Sequence, residues 1–217
     1  MSCRSIPMET YPRRQHFDYF RSLAYPYVGV TQEVDVTGLV RFCKEAGCSF
    51  YLTFMHIAAL TADEVPELRQ RIRDGGIVEY DACPTSHTEP LENGAYCYCT
   101  LHHHMPLADY LAQATAARSR CLENASIDED DDVESMYFIS TLPWLHYSAL
   151  IQPVAGGDES NPRITWGRYA PDHAGRLMMP VTLLAHHALV DGVHLARFYE
   201  GLARRMAQIV ESLPDNH

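Results

Sequence analysis

Residues 177–213 constrain the fold more than any other segment. Their sequence predicts a strand, a turn and a helix in direct succession. LMMPVTLLA is almost entirely apolar, which is typical of a strand that is buried on its sides. DGVHLARFYEGLARRMAQIVESL follows it closely and carries apolar residues at helical spacing, from Leu195 to Ile209. This unit predicts an α/β chain of the α+β type, in which an amphipathic helix accompanies a buried strand.

Further helix and strand patterns occur along the rest of the chain. Apolar residues recur at helical spacing in PRRQHFDYFRSL, TGLVRFCKEAG, SFYLTFMHIAALTADEV and PLADYLAQATAARSRCLENA. Strand patterns occur in YVGVTQEVDV, GGIVEYD, AYCYCTL, MYFISTL, HYSALIQPV and RITWGRYA. No repeat and no low-complexity linker separates them. Residues 1–217 are therefore interpreted as a single domain, which is long enough to bury a substantial core.

The charge and the cysteines exclude several classes of protein. Seventeen Lys and Arg against 28 Asp and Glu give a net charge of −11, which argues against binding to nucleic acid. No apolar run approaches the roughly 20 residues that cross a bilayer, and no signal peptide is visible. The seven cysteines form no CxxC pair, and Cys97 and Cys99 share one strand face. We therefore expect buried reduced thiols, no membrane partner and a cytoplasmic protein.

Two runs of polar residues are interpreted without a bound ion. Residues 128–132 are all acidic and lack the glycine and spaced oxygens of a calcium loop, so a solvated loop is expected. His102, His103 and His104 are consecutive, and side chains on an extended segment alternate, so they are not expected to face one ion. They are predicted to form a polar surface or a cleft wall, with no metal. Metal-dependent hydrolysis, which would need a carboxylate beside them, is the alternative.

His186 and His187 are the first candidates for a chemical role. They stand at the end of the apolar strand, which directs one of them to a cleft and the other inward. Asp191 follows four residues after His187, and Gly192 permits a tight turn into the helix. A histidine at such an edge is suited to act as a general base. Two core histidines and an aspartate that caps the helix are the alternative interpretation.

Five blocks of the sequence, in order, carry a resemblance to one family. HHALVDGVHLARF resembles the signature of chloramphenicol acetyltransferases, trimeric enzymes that acylate an antibiotic hydroxyl from acetyl-CoA. YPRRQHFDYFRS, KEAGCSFYLTFMHIAAL with PELRQRIRDGGIVEYD, FISTLPW and RITWGRY resemble further blocks of that family. The matches extend from residue 11 to residue 202. The resemblance implies the CoA-dependent acyltransferase fold, a two-layer sandwich of a mixed, mainly antiparallel sheet with helices packed on one side.

The resemblance also implies roles for five residues. His187, the second histidine of the signature, takes the place of the general base. Asp191 corresponds to a structural aspartate that forms a buried pair with an arginine, here Arg13. Ser140, in FISTLPW, is expected to donate a hydrogen bond to the tetrahedral oxyanion. Thr165, in RITWGRY, is expected to hold a water molecule near that intermediate.

On the cofactor side, the resemblance places Arg168, Tyr169 and Trp144 near acetyl-CoA. Arg168 stands where the family often has lysine, and it keeps the positive charge that phosphate needs. The family segment that is rich in phenylalanine and lines the drug pocket is replaced here by TEPLENGAYCYCTLHHHMP. A pocket lined by imidazoles would select a more polar or more acidic acceptor.

The predicted function is therefore a CoA-dependent O-acetyltransferase that modifies the hydroxyl of a small molecule, either chloramphenicol or a related xenobiotic. A catalytically silent or differently specific relative is the alternative. Dihydrolipoyl acyltransferase cores and condensation domains share the HHxxxDG signature but are disfavoured by length. A homotrimer is expected, with active sites between subunits and contacts through RITWGRYA and HYSALIQPV.

Overall fold

The computed structural model describes residues 2–127 and 132–212. Within them lie five α-helices: α1 (Arg14–Arg21), α2 (Thr37–Glu45), α3 (Phe50–Asp63), α4 (Leu107–Glu123) and α5 (Gly192–Glu211). Short 3₁₀ turns occupy Pro66–Arg69 and Val133–Ser135. Most of the predicted acidic loop, residues 128–131, lies outside the described residues.

The strands form two sheets. Their bounds are β1 (Cys3–Ile6), β2 (Tyr27–Asp35), β3 (Gln70–Arg73), β4 (Gly76–Tyr80), β5 (Thr85–Pro90), β6 (Tyr96–Leu101), β7 (Tyr137–Leu142), β8 (Arg163–Gly167), β9 (Ala170–Pro171) and β10 (Leu177–His186). The large sheet has the order β2-β10-β8-β7-β5-β6, and β9 pairs with β10. β7 runs parallel to β5 and β8, whereas every other pairing is antiparallel. The small antiparallel sheet has the order β1-β4-β3.

Strand β10 is central because β2 and β8 pair with its two sides and helices cover one of its faces. Val181 and Leu183 are fully buried on one face, as the continuous apolar run predicts. On that face Tyr199 of α5 donates a hydrogen bond to the carbonyl of Val181 and accepts one from the N–H of Leu183. Phe54 of α3 packs 4.9 Å from the Trp166 ring on the same side. The helices thus cover one face of a mixed, mainly antiparallel sheet, and the predicted fold class is confirmed.

The opposite face of the large sheet carries a row of hydroxyl side chains. Thr31, Thr182, Thr165 and Ser140 are register neighbours on β2, β10, β8 and β7. Register partners on adjacent strands project to the same side of a sheet, so the four hydroxyls lie side by side. The oxygens of Thr31 and Thr182 are 2.7 Å apart. This row positions Ser140 and Thr165, two of the predicted site residues, on the face that the helices leave open.

One predicted strand is absent, and one strand of the structure was not predicted. HYSALIQPV is not a strand, because residues 143–162 contain neither helix nor strand. Tyr147 and Gln152 of this segment instead bond Thr165 across the sheet face, at 3.0 Å to its carbonyl and 2.8 Å to its hydroxyl. Conversely, the polar segment TSHTEP forms β5, an interior strand whose sequence lacks the apolar residues by which strands are predicted. Two of its buried polar side chains have partners on other segments: Thr85 donates to the carbonyl of Leu101, and Glu89 accepts from Arg118 of α4.

The cysteines are free thiols, and Cys3, unlike the expected buried thiols, is exposed. Cys97 and Cys99 are both buried, and no disulfide joins any of the seven cysteines, all of which the structure describes. None of the described helices has the length and apolar character needed to span a bilayer.

Candidate active site

The two histidines at the end of β10 have different environments. His186 is buried, and both of its ring nitrogens are engaged. Nε2 donates to the carbonyl of Gly157 at 3.2 Å, and Nδ1 accepts from the N–H of Ala188 at 3.2 Å. Burial lowers the pKa of His186, which favours its neutral form. With its lone pair already committed to Ala188, His186 is a structural histidine.

His187 is only half-buried, and one of its nitrogens is available. Nδ1 lies 2.8 Å from the carbonyl oxygen of Val190. A carbonyl can only accept, so Nδ1 carries the proton, and the lone pair of the neutral ring is on Nε2. No hydrogen bond to Nε2 is found among the described residues. The ring stacks on Phe20 of α1, with centroids 3.7 Å apart and planes 16° from parallel. His187 therefore has the tautomer and orientation that a general base requires.

The turn that holds His187 is fixed by contacts from α1 and α5. Arg13, which precedes α1, donates a hydrogen bond to the carbonyl of Leu189 and lies 3.2 Å from Asp191. Asp191 is the N-cap of α5 and accepts from the N–H of Val193 at 3.2 Å. His194 completes a capping box by accepting from the N–H of Asp191 at 3.0 Å.

The Arg13–Asp191 pair is thus present but is less buried than the sequence predicts. The side chain of Asp191 is 36% exposed and that of Arg13 18% exposed. Partial exposure screens the pair, so removing one partner does not strand a fully buried charge. Its contribution to stability is correspondingly smaller than that of a buried pair.

Two substitutions of Asp191 are expected to distinguish the stability contribution of its helix cap from that of its ion pair with Arg13. Asp191→Ala removes both and should lower the free energy of unfolding by about 1–2 kcal/mol. Asp191→Asn keeps a good capping side chain and should cost less than about 1 kcal/mol. Thermal unfolding followed by circular dichroism measures both variants. An equal loss for the two would show that the ion pair, and not the cap, stabilises this turn.

Ser140 and Thr165 are brought together on neighbouring strands. Their register pairing on β7 and β8 places their backbones about 4.8 Å apart, on the same sheet face. Thr165 is buried, and its hydroxyl accepts a hydrogen bond from Gln152, which leaves its own O–H free to donate. No side-chain hydrogen bond of Ser140 is found in the described part of the chain, so its hydroxyl is available to an incoming group.

Two cavities flank β7. The first, here called the Phe138 cavity, measures about 620 Å³ and is lined by Ser86, Thr88, Tyr98, Phe138, Pro153 and Arg163, among others. The second, the Tyr169 cavity, measures about 420 Å³ and is lined by Phe50, Tyr51, Thr141, Pro143, Arg168 and Tyr169, with two neighbours. Phe138 lines the first cavity and Thr141 the second, so β7 separates them at Ser140, whose own side chain lines neither cavity. Another cavity, of about 550 Å³ beside β2 and α5, contains no predicted site residue.

Of the three residues predicted on the cofactor side, Arg168 and Tyr169 line the Tyr169 cavity, and Trp144 follows Pro143, which also lines it. At Gly167 the backbone of Leu145 comes close, because a Cβ there would lie 2.5 Å from the carbonyl oxygen of Leu145. That carbonyl accepts the N–H of Arg168 at 2.7 Å. The contact holds the residue next to Trp144, whose side chain is 75% exposed, against the backbone of Arg168. The guanidinium of Arg168 forms no ion pair within the described residues and remains open to an anion.

A buried charged network lies behind the Phe138 cavity. Glu89 accepts from His87 at 3.0 Å and from Arg118 at 2.5 and 2.8 Å. Burial raises the pKa of Glu89, but the hydrogen bonds from His87 and Arg118 outweigh it and hold that pKa at about 2. Glu89 is therefore ionised at neutral pH, and it orients the imidazole of His87 in the cavity wall.

The imidazoles predicted to line the pocket lie elsewhere. His103 and His104 both bond the same carboxylate oxygen of Asp63, at 2.7 and 2.6 Å. Burial raises the pKa of Asp63, yet the hydrogen bonds from His103, Tyr137 and His104 hold it below its ordinary value. The replaced segment contributes Thr88 and Tyr98 to the Phe138 cavity instead. The alternation predicted for the three histidines is wrong because β6 ends at Leu101, before them.

His187 and Ser140 of one chain do not meet. His187 lies five residues beyond Thr182, the residue of β10 in register with Thr165 and, through it, with Ser140. At about 3.3 Å per residue, the separation is roughly 16 Å along β10, in addition to two strand spacings. A base and an oxyanion donor must each lie about 3 Å from the reacting atoms. One chain therefore presents two halves of a site.

Comparisons with known proteins identify the family of this chain. The profile of the chloramphenicol acetyltransferase family matches residues 1–203. The chain belongs to the chloramphenicol acetyltransferase family. Relatives of that name from Klebsiella sp and Proteus mirabilis are 27% and 24% identical, and the matches cover 91% and 88% of this chain and 91% and 89% of theirs. Family membership makes the chain an acyltransferase.

Solved structures support the same fold. A chloramphenicol acetyltransferase structure is 26% identical and superposes with a TM-score of 0.81, over 94% of this chain and 100% of that one. A probable dihydrolipoamide acetyltransferase from Listeria monocytogenes is 15% identical, with a TM-score of 0.71 over 99% and 98% of the two chains. At that identity the second similarity concerns the fold alone.

Sequence reasoning missed four residues that shape the site in this family member. Phe20 lies inside the quoted N-terminal block, but nothing in its spacing indicates that it stacks on His187. His194 follows Asp191 by three residues, which is the spacing of a capping box with histidine in place of glutamate. His87 and Glu89 are two residues apart, which is the spacing of side chains on one face of a strand. That spacing was the available indication that the two side chains contact each other.

Proposed function

We propose that the protein transfers the acetyl group of acetyl-CoA to the hydroxyl of a small molecule, chloramphenicol or a related xenobiotic. The observation that carries the proposal is the uncommitted hydroxyl of Ser140 on β7, a strand whose neighbouring residues Phe138 and Thr141 line two cavities, each large enough for part of a substrate. The Tyr169 cavity, with Arg168 and the exposed Trp144 at its edge, suits a phosphorylated nucleotide with a flat base. The Phe138 cavity combines aromatic rings with hydroxyl groups, which suits an aromatic alcohol.

In the proposed reaction, Nε2 of His187 removes the proton of the acceptor hydroxyl as its oxygen attacks the thioester carbonyl carbon. The carbonyl oxygen becomes an oxyanion, which the hydroxyl of Ser140 stabilises by donating a hydrogen bond. Thr165 stands beside Ser140 and can hold a water molecule against the same centre. The intermediate then collapses, the carbon–sulfur bond breaks, and the imidazolium of His187 returns the proton to the sulfur. No covalent enzyme intermediate is needed.

We further propose a homotrimer in which His187 of one subunit faces Ser140 of the next. The separation of the two residues within one chain supports this arrangement, since it leaves each half incomplete. The exposed side chains of Leu145 and Ile151 are candidates for the contact. The contact predicted through RITWGRYA and HYSALIQPV stays a prediction, and within the first of these segments residues 163–167 form β8, which is largely buried in one chain. Light scattering should give about three times the 24.6 kDa chain mass.

Trp144→Ala is expected to raise the KM for acetyl-CoA by about tenfold and to change kcat little. The reason is that an aromatic stacking contact contributes about 0.5–1.5 kcal/mol to binding and does not take part in the chemistry. Steady-state kinetics at saturating acceptor measure both constants. Tyr96→Ala, which removes a half-exposed aromatic ring from β6, is the control. An unchanged KM for acetyl-CoA would place the nucleotide elsewhere.

The experiment that tests the proposed function is a coupled assay of CoA release. Purified protein is incubated with acetyl-CoA and chloramphenicol, and the free thiol is measured with a thiol reagent. A panel of other hydroxylated antibiotics and aromatic alcohols defines the acceptor. Thiol release that depends on the acceptor supports the proposal. A chain that binds these molecules without releasing CoA would instead be a catalytically silent relative. In either case we propose that the protein works in the reducing environment of the cytoplasm.

A further inference from the structure

A cluster of Asp63, His103 and His104 lies apart from the residues proposed for acyl transfer. Asp63 is the last residue of α3, and the two histidines follow β6. One carboxylate oxygen and the two Nε2 atoms all lie within 4.8 Å of one another. The side chain of Asp63 is 7% exposed and that of His103 1% exposed, whereas His104 is 54% exposed. The cluster is thus buried on one side and open to solvent on the other.

The backbone explains why adjacent histidines converge. Residues 102–105 follow the end of β6 and are not extended, and the N–H of Met105 bonds the carbonyl of His103 at 2.8 Å. His56 of α3 donates from Nε2 to the carbonyls of His103 and Met105, at 2.9 and 3.1 Å. His56 is itself held by stacking on Tyr110, with centroids 4.4 Å apart. Helix α3 therefore positions the loop backbone and also supplies the carboxylate of Asp63.

The second oxygen of Asp63 has a partner of its own. It accepts a hydrogen bond from Tyr137 at 2.8 Å, which fixes the carboxylate plane and leaves the other oxygen directed at both histidines. Such support of a carboxylate by a second group is characteristic of metal sites. Tyr137 is the first residue of β7 and is fully buried, three positions before Ser140 and so on the opposite side of the strand.

We propose that Asp63, His103 and His104 bind a divalent transition-metal ion of the zinc type. Two imidazole nitrogens and one carboxylate oxygen form a ligand set that suits Zn²⁺, Co²⁺ or Ni²⁺ and does not suit Mg²⁺ or Ca²⁺. The three atoms need to separate only slightly to admit an ion at about 2.0–2.2 Å from each. Solvent reaches the cluster beside His104 and would supply the fourth ligand.

The ion would act as a structural link and not in acyl transfer. It would join the end of α3 to the loop after β6 and, through Asp63 and Tyr137, to the start of β7. Ser140 and Thr165 lie on the other face of the sheet, and none of the residues proposed for acyl transfer belongs to the cluster, so the proposed reaction does not require the ion. The inference therefore stands or falls independently of the proposed function.

The test is a titration of tag-free protein, first dialysed against a chelator, with ZnCl₂ in an isothermal calorimeter. We expect one Zn²⁺ per chain for the unaltered protein. His104→Ala removes an exposed ligand without opening the core and should weaken binding by about 100-fold or more. His102→Ala, a matched change at the exposed neighbouring histidine, should leave the affinity within about twofold of the original, since His102 supplies none of the three ligand atoms.

Co²⁺ provides a second, spectroscopic readout. The unaltered protein should develop visible absorption bands of nitrogen- and oxygen-bound Co²⁺ on titration with CoCl₂, and His104→Ala should not. Asp63→Asn, which keeps the shape of the side chain, should lose the same bands. Absence of stoichiometric Zn²⁺ binding would overturn the proposal. So would equal losses for His102→Ala and His104→Ala, because they would indicate nonspecific binding to surface histidines.

Discussion

Replacing His187 by glutamine is expected to lower kcat for acetyl transfer by about 10⁴-fold, the upper end of what a positioned general base contributes. Glutamine is close to histidine in size and can still donate to the carbonyl of Val190. It offers no basic nitrogen to the acceptor hydroxyl. The fold should therefore persist while the reaction stops. Thiol release from CoA measures the rate, and circular dichroism verifies the fold.

His186→Gln is the matched control for this experiment. The side chain of His186 is buried and donates to Gly157 while it accepts from Ala188, and glutamine can perform both functions. We expect a lower melting temperature, but a kcat within about tenfold of the original, because no lone pair of His186 faces the reacting atoms. A variant pair in which His186→Gln is inactive and His187→Gln active would reverse our assignment of the base.

The second large effect is expected from mixed subunits. His187→Ala and Ser140→Ala should each be nearly inactive as pure proteins, with losses of about 10²–10⁴-fold. If the site lies between subunits, random mixing in equal amounts places an intact His187 opposite an intact Ser140 at about one quarter of the interfaces. Activity should then recover from near zero to about a quarter of the unaltered level. The two proteins are denatured together and refolded before assay.

The control mixes His187→Ala with a chain that carries both substitutions. No interface in that mixture contains an intact His187, so it must stay inactive. Native mass spectrometry shows whether the mixed assemblies have formed. If mixed assemblies are present and activity does not return, each site belongs to one chain, and both the shared site and its role in the mechanism are refuted.

Much of the site-bearing structure could be predicted because its determinants are contiguous. The apolar run of β10, Asp191 as helix cap and the helical spacing of α5 all appear within about 35 residues, and each element forms as expected. The N-terminal block, FISTLPW and RITWGRY likewise indicate α1, β7 and β8. Family membership was also accessible from these blocks, and the comparisons confirm it.

The failures have a common physical origin in polar segments that are completed by distant partners. TSHTEP forms an interior strand because Glu89 is neutralised by Arg118 on α4, which no local pattern reveals. HYSALIQPV has the alternation of a strand, but Tyr147 and Gln152 use their polar groups to bond Thr165 across the sheet face. In both cases, hydrogen bonds between remote residues outweigh local propensity.

The fold class, the family and the chemical types of the candidate residues follow from the sequence alone, because hydrophobic periodicity, helix caps and motif spacing are properties of neighbouring residues. Which side chains meet depends on the tertiary structure. It separates His187 from Ser140 by the length of half a strand, leaves the Arg13–Asp191 pair partly exposed, and brings His103 and His104 to Asp63, about 40 residues away. These distances depend on sheet register and on the packing of helices against it, which no short segment contains.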